Sequence, residues 1–497
     1  MALGTARLGA ILDRYNVPAD SIILTFIPNG AEWSLVMWTA ALKCHTLVCR
    51  TVQLLHSDLL EDEELKRYYF RRLKPAVVVV EDETDVEIVD RLRLEAGAGN
   101  QSSGSSNGSD SNFLGICLSP LSTPRNNWIS FATDIASPSP PFAAHESSIS
   151  AQKVPDRPSR IANIFFTSGT TASSPKGVPR TTRNLCAAVS SHTAWSRPPP
   201  GHKRPQTTGL IFSANMMALS MTAPLIQWHI GGCVVIASRT FSVAANLEAI
   251  EKCGVTNLEL MRSQLVLMAK HRDFEAKKIR SVRGFFVSGE IITVGYLERV
   301  RELLGVGAGA GTVFVAGFGM TEGVGALGHH PGVLMEMLKG EKGGGLKPLG
   351  DVMPVGTVTP GSRVKVVDVD KQNLQTAADV QEKEWEVVPR GKQGELHIAS
   401  EAYIDGYIDG YHPQMFYTDK EGRKWFRTGD LAVIDEKGMV FVVGRMKDVV
   451  KSSVGFFNPT AIEAFLTRYL AVEVSSLYAF WLETHSSSGK SRPQNSY

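Results

Sequence analysis

The sequence predicts an α/β fold with layered parallel sheets, because apolar runs of strand length alternate with longer runs of helical length. The strand-like runs cover residues 76–80, 209–212, 233–236, 284–287 and 313–316. The helical runs cover residues 244–252, 262–270 and 294–304. Short strands dominate from 355 to 443, which predicts a smaller β-rich portion after the parallel layers.

The composition is typical of a cytoplasmic metabolic enzyme. The 497 residues are 43% hydrophobic, enough for about three conventional domains or one large composite domain. The 52 Lys and Arg residues nearly balance the 50 Asp and Glu residues, so we expect no nucleic-acid partner. The six cysteines lack metal-site or disulfide spacing, and residues 1–20 lack the apolar core of a signal peptide. We therefore expect a cytoplasmic protein with reduced thiols.

Two further stretches have informative compositions. Residues 96–112 consist almost entirely of Gly, Ser, Asn and Ala, which predicts a disordered, low-complexity insertion. Residues 221–237 are largely apolar but contain Gln227 and His229. This stretch therefore predicts a core helix and strand, and we expect no transmembrane segment.

A loop at 164–178 carries the strongest functional signal. The apolar run 164–166 predicts a buried strand, and a lone lysine, Lys176, stands between Pro175 and Gly177. Between strand and lysine, hydroxyl residues surround one glycine: Thr167, Ser168, Gly169, Thr170 and Thr171. Hydroxyls, backbone N–H groups and one cation can enclose a cluster of anionic oxygens, which predicts phosphate binding. A plain Ser/Thr-rich surface turn is the simpler alternative.

Commoner nucleotide loops fit this chain poorly. The Walker pattern requires Gly-Lys-Ser/Thr, whereas Lys176 precedes its glycine. A stretch at 305–310 matches G-x-G-x-x-A, but a helix-like run precedes it and a strand-like run follows. A dinucleotide-binding turn has the reverse order. We therefore predict that Gly305 ends a helix.

The loop at 164–178 resembles the ATP-binding signature of the adenylate-forming superfamily, Thr-Ser-Gly-Thr-Thr-Gly-x-Pro-Lys-Gly. This superfamily contains acyl- and aryl-CoA synthetases, luciferases and the adenylation domains of nonribosomal peptide synthetases. Ala172 replaces a glycine of the signature, and one extra residue precedes Pro175. Because alanine adopts positive φ less readily than glycine, the grip on phosphate is expected to differ. The resemblance spans roughly residues 1–465.

A second motif similar to one of that family follows in the expected order. It comprises Gly317, Phe318, Gly319, Met320, Thr321 and Glu322. The resemblance implies that Phe318 lies against adenine, Thr321 contacts the α-phosphate and Glu322 holds Mg²⁺. The residue types suit these roles, because an aromatic ring offers a π-face and a carboxylate is a hard oxygen ligand. A weaker match, which resembles the family's second adenine-side loop, comprises Ser288, Gly289 and Glu290.

Two later motifs resemble the ribose clamp and the hinge of the family. Asp430 follows Thr-Gly, and a carboxylate there can accept hydrogen bonds from both ribose hydroxyls. The resemblance implies that Arg445 reaches the ribose or α-phosphate and that Lys447 is the hinge. The turn-like 435–438 and the apolar 439–443 predict a hairpin that ends beside the site. For either charged residue taken singly, a surface ion pair is the alternative.

The substrate class is indicated by the absence of an acidic residue from one stretch of the chain. Amino-acid-activating relatives carry a Phe-Asp motif whose acid pairs with the amino group, whereas residues 211–217 contain no acid. An uncharged acyl or aryl acid is therefore favoured. Asn215, Met216 and Phe318 are predicted to line its pocket, with a purely structural core as the alternative for the apolar pair.

The resemblance divides the chain into two parts. Residues 1–443 correspond to an AMP-binding domain, with a distorted β-barrel subdomain at about 355–443, and residues 444–497 to a hinge and a C-terminal α+β domain. In the family, that small domain carries a late lysine that drives adenylation. Only 34 residues follow Glu463 here, so we expect a truncated domain and slow adenylation.

The activity that the resemblance implies is ATP-dependent activation of a small-molecule carboxylic acid. The acid attacks the α-phosphate, giving an acyl-adenylate and pyrophosphate, and the thiol of CoA then takes the acyl group. ATP, Mg²⁺ and CoA are the implied cofactors, and Lys176, Thr321 and Glu322 the implied catalytic residues, which act by electrostatic stabilisation. Two alternatives stay open: loading of a carrier-protein thiol, and a non-catalytic remnant that binds ATP or a partner.

Overall fold

A computed structural model describes most of the chain. The described residues are 1–56, 60–98, 113–137, 154–167, 175–194, 206–306, 311–330, 348–369, 380–381, 385–410, 412–448, 450–452 and 455–457. The helices, α1 to α10 in chain order, are Ala2–Arg14, Ala31–Leu42, Val52–His56, Leu60–Leu73, Glu83–Ala98, Thr182–Ala194, Ala218–His229, Val243–Cys253, Arg262–Ala269 and Val294–Leu304.

The first sheet contains seven strands. In chain order these are β1 to β7, at Ile22–Phe26, Thr46–Cys49, Val77–Val80, Leu114–Cys117, Trp128–Ser130, Ile161–Thr167 and Lys176–Thr181. Their spatial order is β5-β4-β3-β1-β2-β6-β7, and all neighbours are parallel except the antiparallel pair β6–β7. The four valines of β3 are fully buried, which is typical of a central parallel strand covered on both faces.

The second sheet contains five parallel strands. In chain order these are β8 to β12, at Thr208–Ile211, Cys233–Val235, Asn257–Met261, Gly284–Ser288 and Val313–Ala316. Their spatial order is β12-β11-β10-β8-β9. These strands and helices agree to within a few residues with the runs that the sequence predicted, because their apolar spacing is regular.

The chain then forms mostly antiparallel strands. In chain order these are β13 to β23, at Gly319–Met320, Gly323–Val324, Leu327–Gly328, Thr357–Val358, Ser362–Val367, Gln393–Ser400, Phe416–Thr418, Lys424–Ile434, Val440–Arg445, Val450–Ser452 and Gly455–Phe457. The third sheet has the order β17-β18-β20-β19, with β21 also paired to β20. This sheet accounts for the β-rich character predicted for residues 355–443.

Local signals explain several element ends. Helix α10 begins where the Thr293 hydroxyl accepts a hydrogen bond from the Tyr296 N–H at 3.2 Å, and it ends at Gly305, whose φ is +64°. The prediction that Gly305 terminates a helix is confirmed, since glycine adopts positive φ without the cost of a Cβ. The apolar stretch 221–237 forms part of α7 and strand β9. Within the described residues, the structure contains no helix with the length and apolar character needed to span a bilayer.

One apolar core joins the second and third sheets. It includes Phe285 and Phe314, whose rings stack with centroids 4.3 Å apart, and continues to Leu396 and Phe441 of the antiparallel sheet. Separate apolar clusters cover the two faces of the first sheet. Because the second and third sheets share a core, the loops at their junction are held in a defined relation to one another.

Candidate active site

A cavity of about 250 Å³ lies at the junction of the second and third sheets. The loops that follow β11 and β12 form one wall, and β20 and β21 contribute another. Ligands of parallel α/β sheets commonly bind beyond the carboxyl ends of strands, and this cavity lies in such a position. The lining residues are Arg262, Gly289, Glu290, Ile291, Ile292, Thr293, Gly317, Phe318, Gly319, Met353, Val355, Asp430, Val442, Gly444 and Arg445.

Asp430 and Arg445 pair across the predicted hairpin. They are register partners on β20 and β21, and Nε of Arg445 lies 2.8 Å from Oδ1 of Asp430. Asp430 is only 2% exposed, whereas half of the Arg445 side chain is exposed. The second carboxylate oxygen, Oδ2 of Asp430, is buried without a hydrogen-bond partner among the described residues. A further hydroxyl or N–H donor would therefore be satisfied there.

Burial raises the pKa of the Asp430 carboxyl to about 6, and the Arg445 charge only partly offsets this. The local backbone explains why the side chain is held so deeply. Gly429 has a φ of +71° at an irregularity in the β18–β20 pairing, which turns the strand. The Thr428 hydroxyl accepts the Asp430 N–H at 3.0 Å and donates to the Leu396 carbonyl at 2.8 Å. Each residue of the Thr-Gly-Asp motif therefore has a structural role.

The aromatic and glycine residues of the cavity come from neighbouring strand ends. Phe318 follows β12 and packs partly against the shared core while lining the cavity. Gly289 follows β11 with a φ of +88°, which favours glycine. Gly317 and Gly319 also line the cavity. The two loops that the sequence predicted separately are therefore neighbours in space.

Arg262 is a cavity residue that the sequence analysis did not identify. Its Nη1 lies 3.4 Å from Oε2 of Glu290, and its guanidinium stands 4.9 Å from the centre of the Tyr296 ring. An arginine at a strand–helix junction has no distinctive sequence pattern, so no signal could have singled it out. Among the described residues, two ion pairs thus line the cavity, one after strands of the second sheet and one in the third sheet.

Glu322 lies in a turn that forms hydrogen bonds with a later segment of the chain. Its Oε1 accepts a hydrogen bond from the Tyr407 hydroxyl at 2.6 Å, and its carbonyl accepts the Ile404 N–H at 3.0 Å. Gly323 pairs with Tyr403, and a Cβ at Gly323 would lie 2.3 Å from the Tyr403 ring. Tyr407 was not predicted, since a single tyrosine 85 positions away carries no spacing signal.

Lys176 lies near Glu322 and Tyr407. Its ammonium is 5.8 Å from the centre of the Tyr407 ring. Burial lowers the pKa of Lys176, the Glu322 charge opposes that change, and the Lys447 charge adds to it. Glu322 and Lys447 are therefore both within electrostatic reach of Lys176. Thr167 is the register partner of Lys176, and the rest of the predicted phosphate loop, Ser168, Gly169, Thr170 and Thr171, lies outside the described residues.

Several predicted residues do not line the described cavity. Ser288 ends β11 and pairs in register with Met261, and Met320 pairs with Gly323. Asn215 is 3% exposed, and its amide donates to the Ile27 carbonyl at 2.7 Å. Met216 packs against an apolar cluster of the first sheet. The structure does not bring Asn215 and Met216 together with Phe318 in that cavity, so the substrate pocket stays a prediction.

Comparisons with known proteins identify the family of this chain. The AMP-binding enzyme family matches residues 3–408. An acyl–CoA ligase of Pestalotiopsis microspora is 26% identical over 455 residues, which cover 90% of this chain and 69% of that protein. The 4-coumarate–CoA ligase-like 9 protein of Arabidopsis thaliana is 26% identical over 325 residues, 64% of this chain and 50% of that protein. The chain spans about half the length of several further ligases.

Solved structures show the same fold. A luciferase-like enzyme from the mealworm Zophobas morio has a TM-score of 0.65 at 18% identity, covering 90% of this chain and 88% of its own. An anthranilate–CoA ligase in complex with anthranoyl-AMP has a TM-score of 0.67 at 16% identity, covering 95% of this chain and 77% of its own. The predicted α/β fold with layered parallel sheets is confirmed. Because the family match covers most of the chain, this protein belongs to the AMP-binding enzyme family, as its nucleotide motifs predicted.

Proposed function

We propose that this protein is an AMP-forming ligase that activates a carboxylic acid with ATP and transfers the acyl group to the thiol of CoA. The acid carries no charged group besides its carboxylate. The observation that carries the proposal is the convergence of Phe318, Asp430 and Arg445, from separate sheets, on one cavity. Similarity to acyl–CoA and 4-coumarate–CoA ligases supports an acyl or aryl acid as substrate and CoA as acceptor.

The nucleoside would occupy the cavity between its two walls. Asp430 would accept hydrogen bonds from the ribose hydroxyls, one of them at the buried and unpartnered Oδ2. Phe318 would cover one face of adenine, and Gly289 and Gly317 would let the backbone approach the base. Arg445, half exposed beside Asp430, would reach the α-phosphate.

The residues present fit a magnesium ion that is bound together with the nucleotide. The described residues contain no group of three or more metal-binding His, Cys, Asp or Glu side chains. Mg²⁺ in nucleotide sites commonly uses one or two carboxylates and completes its shell with phosphate oxygens and water, so Glu322 would suffice. When bound, the ion supplies charge stabilisation at the phosphates.

The remaining charged groups would act on the phosphates and on domain movement. Lys176 would donate to a phosphate oxygen, with the Glu322 charge favouring its protonated form. The hydroxyl loop that begins at Thr167 would enclose the same phosphates. Lys447 is exposed in the short helical turn Met446–Asp448, directly after β21, where a hinge would separate residues 1–443 from the rest.

ATP–pyrophosphate exchange tests the first half of the proposal. The panel contains hydroxycinnamic and benzoic acids, straight-chain fatty acids and amino acids, and mass spectrometry detects acyl-CoA after addition of CoA. We expect exchange with an acyl or aryl acid, loss of exchange in Lys176→Met, and retention in Lys252→Met, an exposed lysine on α8 paired with Glu248.

The alternatives predict different results. ATP binding without exchange for any acid would indicate a non-catalytic remnant. Exchange that responds only to amino acids, with transfer to a phosphopantetheinyl carrier protein and none to CoA, would indicate a carrier-loading protein. Either result would contradict the proposed ligase.

A further inference from the structure

Arg180 is a buried cation that the proposed chemistry does not use. It lies on β7, is 0% exposed, and its strand neighbour Val178 packs in an apolar cluster with Ile404 and Tyr407. Burial lowers the pKa of Arg180 to about 10. A charge removed from water destabilises the fold unless other groups compensate it, so this position requires an explanation.

The guanidinium joins two segments of the candidate active site. Nη1 lies 3.4 Å from the Thr321 carbonyl oxygen, and Nη2 lies 3.5 Å from the Ala402 carbonyl oxygen. Within the described part of the chain, Nε has no acceptor and no carboxylate forms an ion pair with Arg180. Hydrogen bonds from Arg180 therefore connect the backbone next to Glu322 with the segment that contains Tyr407.

The effect of burial on the pKa of Arg180 is opposed at longer range by Tyr403 first and then by Glu322. The negative charge of Glu322 favours the protonated form of both Lys176 and Arg180. These two cations are four positions apart on β7, so both point to the same face of the strand. Tyr407 donates to the carboxylate from another segment. The Glu322 carboxylate is thus held by one hydroxyl and lies within reach of two cations of a single strand.

We propose that Arg180 is a positioning residue for Glu322. Its guanidinium holds the Thr321–Glu322 backbone against Ala402 through the two carbonyl contacts, and this fixes the backbone position from which Glu322 would meet a magnesium ion bound with ATP. The link to magnesium rests on the proposed function, whereas the coupling between Arg180 and Glu322 does not. Outer-sphere partners of metal ligands commonly change metal affinity by about 10–100-fold when they are replaced.

A double-mutant cycle tests the proposal in the 497-residue chain. Arg180→Gln, Glu322→Gln and the double variant are compared with the parent protein by calorimetric ATP titration at a series of free Mg²⁺ concentrations. We expect Arg180→Gln to weaken the Mg²⁺-dependent part of ATP binding about tenfold and to cause little further loss in the Glu322→Gln background. Arg180→Lys, which keeps the charge, should lose less. Arg160→Met, a buried arginine paired with Asp156, is the matched control and should keep the Mg²⁺ dependence.

Urea unfolding of the same four proteins measures the coupling without a nucleotide. Glu322→Gln should lower the unfolding midpoint less in the Arg180→Gln background than in the parent, because the buried Arg180 charge that Glu322 favours is then absent. Additive effects in both binding and unfolding would overturn the inference. If the parent fails to bind ATP while the unfolding cycle shows coupling, the proposed function fails and the coupling between Arg180 and Glu322 stands.

Discussion

The hydroxyl oxygen of Tyr407 lies 2.6 Å from Oε1 of Glu322 and donates its hydrogen to that carboxylate. Burial raises the pKa of Tyr407, and the Glu322 charge raises it further, so the phenol stays protonated and the hydrogen bond persists. The bond joins the turn after β13 to the segment before β19. The Tyr407 hydroxyl therefore holds one oxygen of the Glu322 carboxylate within the protein itself.

Replacing Tyr407 with phenylalanine should reduce adenylation more than it reduces stability. The variant loses one hydrogen bond to a carboxylate, which costs about 1–3 kcal/mol in unfolding free energy. It also frees the Glu322 carboxylate to turn, so we expect pyrophosphate exchange to fall about tenfold. Tyr417→Phe is the control, because the Tyr417 hydroxyl lies 2.9 Å from Nδ1 of His397. Equal losses of exchange in the two variants would contradict a role for Tyr407 in orienting Glu322.

Asp430→Asn should weaken ATP binding about tenfold. The amide keeps one acceptor oxygen but loses the charge and part of the capacity to accept two ribose hydroxyls, a loss of about 1–3 kcal/mol. Titration with ATP and with 3′-deoxy-ATP measures the ribose contribution. The parent should prefer ATP and the variant should discriminate less. Asp419→Asn, whose carboxylate bonds Arg423 and Trp425 instead, should retain the preference.

The stability of the fold should depend on pH through Asp430. Its pKa is about 6 in the folded protein against an ordinary 3.8, so the folded state binds the proton more tightly. Ionisation therefore costs stability: the cost is complete above about pH 6 and disappears as the pH falls toward 4. When the pH falls from 8 to 5, the unfolding free energy of the parent should rise by about 1 kcal/mol relative to that of Asp430→Asn. Urea unfolding at both pH values checks this, and an unchanged difference between the two proteins would refute it.

Gly323→Ala should destabilise the protein by about 1–3 kcal/mol. A Cβ at this position would lie 2.3 Å from the Tyr403 ring, so the turn that carries Glu322 must move away from its neighbouring segment. Gly406→Ala is the matched control, because no atom lies within 4 Å of its added Cβ. In thermal unfolding and in pyrophosphate exchange, Gly323→Ala should differ from the parent protein, whereas Gly406→Ala should not. A Gly323→Ala protein with the parent melting temperature would contradict the described packing.

Local signals were sufficient to predict much of the fold. The hairpin between Asp430 and Arg445 followed from a turn signal flanked by apolar runs, and its register now pairs those two residues. Gly305 was predicted to end a helix, and its φ of +64° confirms this. In both cases neighbouring residues along the chain decide the backbone conformation, so no distant contact is needed.

By itself the sequence determined the α/β class, because short-range periodicity specifies helices and strands. The family and the motif residues Phe318, Glu322 and Asp430 followed from the resemblance of short motifs to those of the adenylate-forming superfamily. Only the tertiary structure decided which groups surround those motifs. Tyr407, Arg262 and Arg180 reach the site from distant segments, with Arg180 contacting a carbonyl 141 positions away. The raised pKa of Asp430 also depends on the third sheet, which buries the side chain. Burial and long-range contacts come from the packing of separate sheets, and no local pattern in one sequence encodes them.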